Sequence, residues 1–194
     1  MNGKLFLIAA PSGAGKTTLV NELLTSFKDI YNIHRVITYT SRHPRGNEVT
    51  GQDYHFISSI EFEAKIEEGF FLEWSNVYSS YYGTPKNIIN ELEKGKSYFL
   101  IIDRFGVKQI LEKFPYALSI WIQPPSLEIL EQRLLQRNTE SLEKISKRLA
   151  IAAQELEIEN IEPICTYCIV NDCKKLATDQ LKQIVFKELG LSSF

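Results

Sequence analysis

Short apolar runs alternate along this chain with stretches whose apolar residues recur every three or four positions. Lys4 to Ala9 is a bounded apolar run, the pattern of a strand covered on both faces. Thr17 to Phe27 then carries Leu19, Leu23 and Leu24 at helical spacing. Arg35 to Ser41 reads as extended, and Arg42 to Gly51 as a polar loop punctuated by Pro44, Gly46 and Gly51. Phe62 to Gly69 predicts a short helix, Phe70 to Val77 a strand, and Thr84 to Glu93 a helix stopped by Gly95. Tyr98 to Ile102 is a second buried-strand run, ended by Asp103. Helix Val107 to Phe114, strand Ala117 to Ile122 and helix Leu127 to Gln136 follow, the last with Ser126 as its N-cap. Helix Leu142 to Glu159, strand Tyr167 to Val170 and helix Ala177 to Leu189 complete the chain. Strands alternating with helices predict an α/β fold with a mostly parallel sheet.

Composition narrows the class. The 194 residues are enough for one domain; 44% are hydrophobic and 24% charged, as in ordinary globular proteins. A formal charge of −2 supplies no global basic field for nucleic acid or an anionic membrane. No apolar run is long enough to span a bilayer. The run Leu5 to Ala10 resembles a short signal core, but a glycine-bearing loop follows it without a small-residue cleavage site, so a buried strand is expected. Cys165, Cys168 and Cys173 cannot all pair. With His34, His43 and His55 far upstream and no second CxxC, they read as reduced thiols of a cytoplasmic protein rather than zinc ligands.

The sharpest chemical signal is Ala10-Pro11-Ser12-Gly13-Ala14-Gly15-Lys16-Thr17, with Thr18 following, between the first strand and the first helix. It fits GxxxxGK[ST] apart from Ala10 in place of the opening glycine. Gly13 and Gly15 let the backbone curl its N–H groups toward a polyphosphate, and the helix N-terminus adds positive potential. Lys16 reaches β and γ phosphates, and the Thr17 hydroxyl can ligate Mg²⁺. A nucleoside triphosphate site follows. Asp103, closing the 98–102 strand, has the form of a carboxylate that holds Mg²⁺ through water.

Between these elements lie Thr38-Tyr39-Thr40-Ser41-Arg42-His43-Pro44-Arg45, Gly51-Gln52-Asp53-Tyr54-His55-Phe56, Phe71-Leu72-Glu73-Trp74 and Tyr81-Tyr82-Gly83-Thr84-Pro85. Pro124-Pro125-Ser126, Arg133, Arg137, Arg148 and Ile169-Val170-Asn171-Asp172 come later. Arg42 and Arg45 can converge on one phosphate monoester, with the Tyr54 and Tyr82 hydroxyls donating to it. Glu73, in an apolar stretch, offers two acceptors that match guanine N1–H and N2–H₂ and oppose the adenine N1 lone pair. Arg133 and Arg137, at i,i+4, share a helix face.

In this order, the segments resemble guanylate kinase over nearly the whole chain. The resemblance implies ATP-dependent phosphorylation of GMP, and of dGMP, with Mg²⁺. It places ATP on residues 10–18 with Arg133, Arg137, Asn171 and Asp172. GMP falls to Thr38, Arg42, Arg45, Tyr54, Glu73, Tyr82, Gly83, Thr84 and Asp103, and Mg²⁺ to Thr17 and, through water, Asp103. Lys16, Arg42, Arg137 and Arg148 take the catalytic roles. One domain is expected, with a core at 1–35, 95–125 and 160–194. A nucleoside monophosphate-binding subdomain is expected near 36–94 and a helical lid near 126–159. The expected partners are small molecules only, the expected location the cytoplasm, and the expected state a monomer or homodimer.

The chain departs from the family pattern in two places. Ile101 and Phe105 stand where the family's Asp-x-Asp-x-Gln-Gly carries its first Asp and its Gln, and the glycine of Pro-Arg-x-Gly-Glu is displaced to Gly46. Two rivals therefore accompany the leading reading. One is a binding module with a relict nucleotide site; the other is a related kinase with a different phosphorylated acceptor.

Overall fold

A computed structural model describes residues 3–27, 31–77, 79–136 and 141–191. Strands β1 (Leu5–Ala9), β2 (Ile33–Arg35), β7 (Ser97–Ile101), β8 (Leu118–Gln123) and β9 (Tyr167–Val170) form a five-stranded sheet in the order β2-β7-β1-β8-β9. Every pairing in it is parallel. Strand β1 is buried along its whole length, and its alternate residues feed two cores. Phe6 and Ile8 join Leu19, Leu23, Phe99 and Phe186 on one face. Leu5, Leu7 and Ala9 join Leu100, Val107, Ile110 and Trp121 on the other. This two-sided burial is why the run reads as continuous apolar rather than alternating.

A second sheet, in the order β4-β3-β6-β5, is built from β3 (Tyr39–Thr40), β4 (His55–Phe56), β5 (Phe71–Val77) and β6 (Ser80–Pro85). It is mixed: β3 and β4 are parallel, while β6 runs antiparallel to both β3 and β5. Aromatic rings give it a core, with Phe62 stacked on Phe71 at 4.3 Å and on Tyr81 at 5.1 Å between ring centres. Gly83 makes room for them: a Cβ there would sit 2.8 Å from the Phe71 ring and 2.9 Å from that of Phe62.

The local readings need three adjustments. Arg35 to Ser41 is not one strand; it splits at Val36–Thr38 and serves both sheets. Thr84 and Pro85 close β6, and helix α3 (Ile88–Glu93) begins after them. The reason is that Gly83 and Thr84 pair with Trp74 and Glu73 across the hairpin. Helix α2 (Ser59–Glu67) starts before Phe62, because Ser58 and Glu61 form a reciprocal capping box. The remaining helices fall close to expectation: α1 (Lys16–Ser26), α4 (Arg104–Lys113), α5 (Leu127–Gln136), α6 (Leu142–Ile161) and α7 (Lys174–Leu189).

Both halves are tied through α4 and α6. Gln109 donates to the Trp74 carbonyl at 2.8 Å, and Lys113 donates to that of Leu72, holding β5 against α4. Arg104 Nε donates to Glu159 Oε2 at 2.9 Å, and Glu159 Oε1 accepts the Ile164 and Cys165 N–H groups, each at 3.1 Å. The Glu159 side chain is 7% exposed and that of Arg104 17%. An Arg104→Ala protein would leave that carboxylate buried without its cation, at a cost of about 3–5 kcal/mol. Urea unfolding checks this. A loss below ~1 kcal/mol would place the pair with solvent-screened bridges instead.

Among the described residues no helix is long and apolar enough to cross a membrane. The cysteines are free, Cys165 half-buried and the other two exposed. No described group of three or more His, Cys, Asp and Glu side chains is disposed to hold a metal.

Candidate active site

The carboxyl ends of the parallel strands converge on one cleft of about 220 Å³, as open α/β sheets dictate. β1 is the middle strand, so the loop that follows it occupies the centre of that edge. Gly13 and Gly15 both take positive φ, 94° and 102°, which curls residues 10–15 into a cradle. Gly15 is the N-cap of α1 and supplies no side-chain cap. No side-chain cap therefore competes with an anion at the N-terminus of the helix. A Cβ at Gly15 would collide with Asn171 Nδ2, which donates at 2.7 Å to the Ala14 carbonyl. The end of β9 therefore braces the loop.

Lys16 Nζ lies back on the loop, donating to the Ala10 carbonyl at 2.6 Å and to that of Pro11 at 3.3 Å. Thr17 and Thr18 line the cleft and are exposed to it. From α6, the buried Arg148 donates to Ser12 Oγ at 2.9 Å. Arg133 on α5 donates to the Asn171 carbonyl at 2.8 Å, so it meets Asn171 at the end of β9 rather than the cleft lining. Arg137 lies outside the described residues. Pro11, Ala14 and Asp172 belong to the loop and to the end of β9 but are not among the cleft-lining residues.

Across the cleft stands the second sheet. Arg42 is clamped by Glu48 through two hydrogen bonds, Nη1 to Oε2 at 2.6 Å and Nη2 to Oε1 at 2.7 Å. Its guanidinium lies 5.0 Å from the centre of the Tyr54 ring and 5.4 Å from that of Phe56. Arg42 Nε is buried without a partner. Burial weakens the guanidinium's hold on its proton, but the Glu48 pair outweighs it and Arg42 stays charged. Burial likewise raises the Glu48 carboxyl, and the Arg42 bonds with the Arg45 N–H bring it net below the usual range. Burial and then the neighbouring Tyr82 raise the Tyr54 hydroxyl. Arg45 and Tyr82 line the same wall. Gly46, at φ 51°, closes the turn that returns Glu48 to Arg42, so the displaced glycine still delivers the clamp.

Glu73 is only 3% exposed and accepts from the Thr84 hydroxyl across the β5–β6 hairpin. Burial pushes its carboxyl up to about 7, the Asp103 charge adds to this, and the Thr84 bond opposes it. Thr38, also buried, and Gly83 line the wall beside it. Asp103 lies where the two walls meet. Its Oδ1 caps α4 through the Gly106 N–H at 2.8 Å, and its Oδ2 accepts from the Ser75 hydroxyl. Ile101 lines the cleft close by.

The cleft also includes residues given no role in the sequence analysis: Arg35, Glu48, Asp53, Ser75 and Glu155 among them. A signal existed for two. Glu48 closes the Pro44–Glu48 turn beside Arg42, and Glu155 lies seven residues beyond Arg148 on α6, two turns along the same face. Burial pushes the Glu155 carboxyl up to about 7, which Lys16 opposes and Asp103 reinforces.

Fold and site together define an α/β phosphotransferase, in which the glycine loop ahead of α1 faces Arg42 and Arg45 across one cleft. The family model described as guanylate kinase matches residues 2–188. The chain belongs to the guanylate kinase family. It is 46% identical to the guanylate kinase of Nitrosospira multiformis over 187 residues, 96% of this chain and 86% of that one. The guanylate kinase of Protochlamydia amoebophila is 44% identical, over 96% of this chain and 91% of its own. The crystal structure of guanylate kinase from Anaplasma phagocytophilum superposes with a TM-score of 0.78 at 29% identity, covering 96% of this chain and 86% of that chain.

Proposed function

We propose that this chain transfers the γ-phosphoryl group of ATP to GMP. The observation that carries this reading is the facing of the Lys16 loop and the Arg42–Glu73 wall across one cleft. Family membership and the curated relatives support it, and nothing in the comparisons favours a binding module or another acceptor. In this proposal the core (1–35, 95–125, 160–194) holds ATP, the segment 36–94 holds GMP, and the segment 126–159 closes over both. The two separate sheets support that division.

The donor phosphates replace the Ala10 and Pro11 carbonyls as partners of Lys16 and sit at the N-terminus of α1, which no side chain caps. Arg133, Arg137, Asn171 and Asp172 flank the nucleoside of ATP. The GMP phosphate is met by Arg42, Arg45, Tyr54 and Tyr82, with Arg42 already aligned by Glu48. Glu73 accepts guanine N1–H and N2–H₂, with Thr38, Gly83 and Thr84 around it. The nucleophile is an anionic phosphate oxygen, so no strong base is required. Catalysis rests on positioning and on charge neutralisation by Lys16, Arg42, Arg137 and Arg148. Closure excludes water that would otherwise take the phosphoryl group.

Mg²⁺ fits the donor set. The exposed Thr17 hydroxyl and the Asp103 carboxylate offer oxygen only, and an ion held largely by phosphates needs no more than one or two such side chains. When bound, it would act as a Lewis acid that offsets the negative charge developing on the phosphate oxygens. The test is ADP formation from Mg·ATP with GMP, dGMP, AMP, CMP and UMP offered singly. Turnover with GMP and dGMP alone is expected. Binding of ATP without turnover on any acceptor would overturn the proposal in favour of a binding module.

A further inference from the structure

Glu48, Asp53, Glu73, Asp103 and Glu155 are the acidic residues that line the cleft. Each of the first four accepts at least one hydrogen bond within the protein. Glu48 spends both oxygens on Arg42, Asp53 accepts the Val49 N–H at 2.9 Å, and Glu73 accepts from Thr84. Asp103 accepts from Gly106 and Ser75. Glu155 stands apart. Its Oε2 is shielded from solvent and lacks a hydrogen-bond partner, the one carboxylate oxygen in that state among the described residues. An ionisable oxygen buried without a partner is costly, so a group that arrives with the ligand is its natural complement.

Its position says which group. Glu155 lines the cleft together with Lys16 and Thr17 of the phosphate loop and with Asp103 at the end of β7, and the charges of Lys16 and Asp103 both act on it. That strand ends in Ile101, an apolar residue lining the same space, so the strand itself brings no second carboxylate there. Arg148, Ala152 and Glu155 fall on one face of α6, with Ala152 fully buried between the other two. A single helix face thus delivers a cation to Ser12 of the phosphate loop and an anion to the cleft that Lys16 and Asp103 also line.

Resting on the donor-site reading above, we propose that Glu155 is a positioning residue for the donor-site Mg²⁺: its carboxylate accepts hydrogen bonds from water in the ion's shell, as the partner of Asp103 that Ile101 does not provide. The ion's hydration then fastens α6 to the loaded phosphate loop. Because the link runs through water, Glu155 acts on the ion's order and affinity and touches no reacting atom.

The experiment is calorimetric titration of ADP into the intact chain, with excess MgCl₂ and with EDTA, for wild type and Glu155→Gln. The amide is isosteric and neutral, and a melting temperature at or above wild type confirms its fold. Wild type is expected to bind ADP more tightly with Mg²⁺. In Glu155→Gln that Mg²⁺-dependent gain is expected to shrink by roughly ten- to a hundredfold, with EDTA affinity unchanged. An undiminished gain overturns the proposal. So does an equal change with and without the metal, which would make Glu155 a counter-charge for Lys16 instead. Failure of wild type to bind ADP at all would instead overturn the donor-site reading, and this inference with it.

Discussion

Lys16→Ala is expected to reduce ADP formation from Mg·ATP and GMP by roughly a thousandfold, the scale of losing a preorganised cation on the transferring charge. The fold should be untouched. Lys16 packs into neither hydrophobic core, and its ammonium donates to two carbonyls of its own loop. Thermal melting should therefore match wild type, and GMP should bind as before, because Arg42, Tyr54 and Glu73 lie on the other sheet or its loops. Steady-state turnover together with GMP titration reads both halves. Undiminished turnover would remove Lys16, and with it the phosphate-loop assignment, from the chemistry.

Glu73→Gln should change which base is accepted. Glutamine keeps one oxygen for guanine but presents an N–H₂ where guanine also donates, leaving a buried donor facing a donor. The preference for GMP over AMP, measured as the ratio of their kcat/KM values, should fall by roughly a hundred- to a thousandfold. Unchanged selectivity would take Glu73 out of base reading. The same carboxyl, pushed up to about 7 by burial, is protonated in the free enzyme below that pH. Wild-type kcat/KM for GMP should therefore drop about tenfold per unit below pH 7 relative to the glutamine variant, whose profile lacks this ionisation. Stability runs in a related sense. A folded value above the ordinary 4.5 means the native state holds the proton more tightly, so stability falls as pH rises from 4.5 to about 7. The variant should melt above wild type at pH 8.

What the sequence made legible and what it concealed divide along a physical line. The β1–loop–α1 unit could be read because each part is local: an apolar run, two glycines that must take positive φ, and a helix behind them. Strand Tyr167–Val170 was bounded as found. Thr84 carries a helical pattern in sequence but pairs as a strand, because its pairing with Glu73 across the hairpin outweighs the helix that follows it. Arg35 to Ser41 has one extended character but two destinations, and nothing in its residues marks the break at 36–38. The cleft follows the same rule. Glycines, Lys16, Arg42 and Glu73 announced themselves by spacing and by chemistry out of place. Ser75 and Glu155 reach the cleft from β5 and α6, and their importance depends on Asp103 and Lys16, far away in sequence.

The contact between Gly15 and Asn171 sets a rule for how this chain can vary over evolutionary time. A side chain at position 15 has nowhere to go while the Asn171 amide occupies its space, and the left-handed backbone at 15 already disfavours one. Shortening residue 171 would open that space but strand the Ala14 carbonyl, whose donor is that amide. Neither position can drift alone without loss. A change at one is expected to require a change at the other, although 155 residues of chain lie between them.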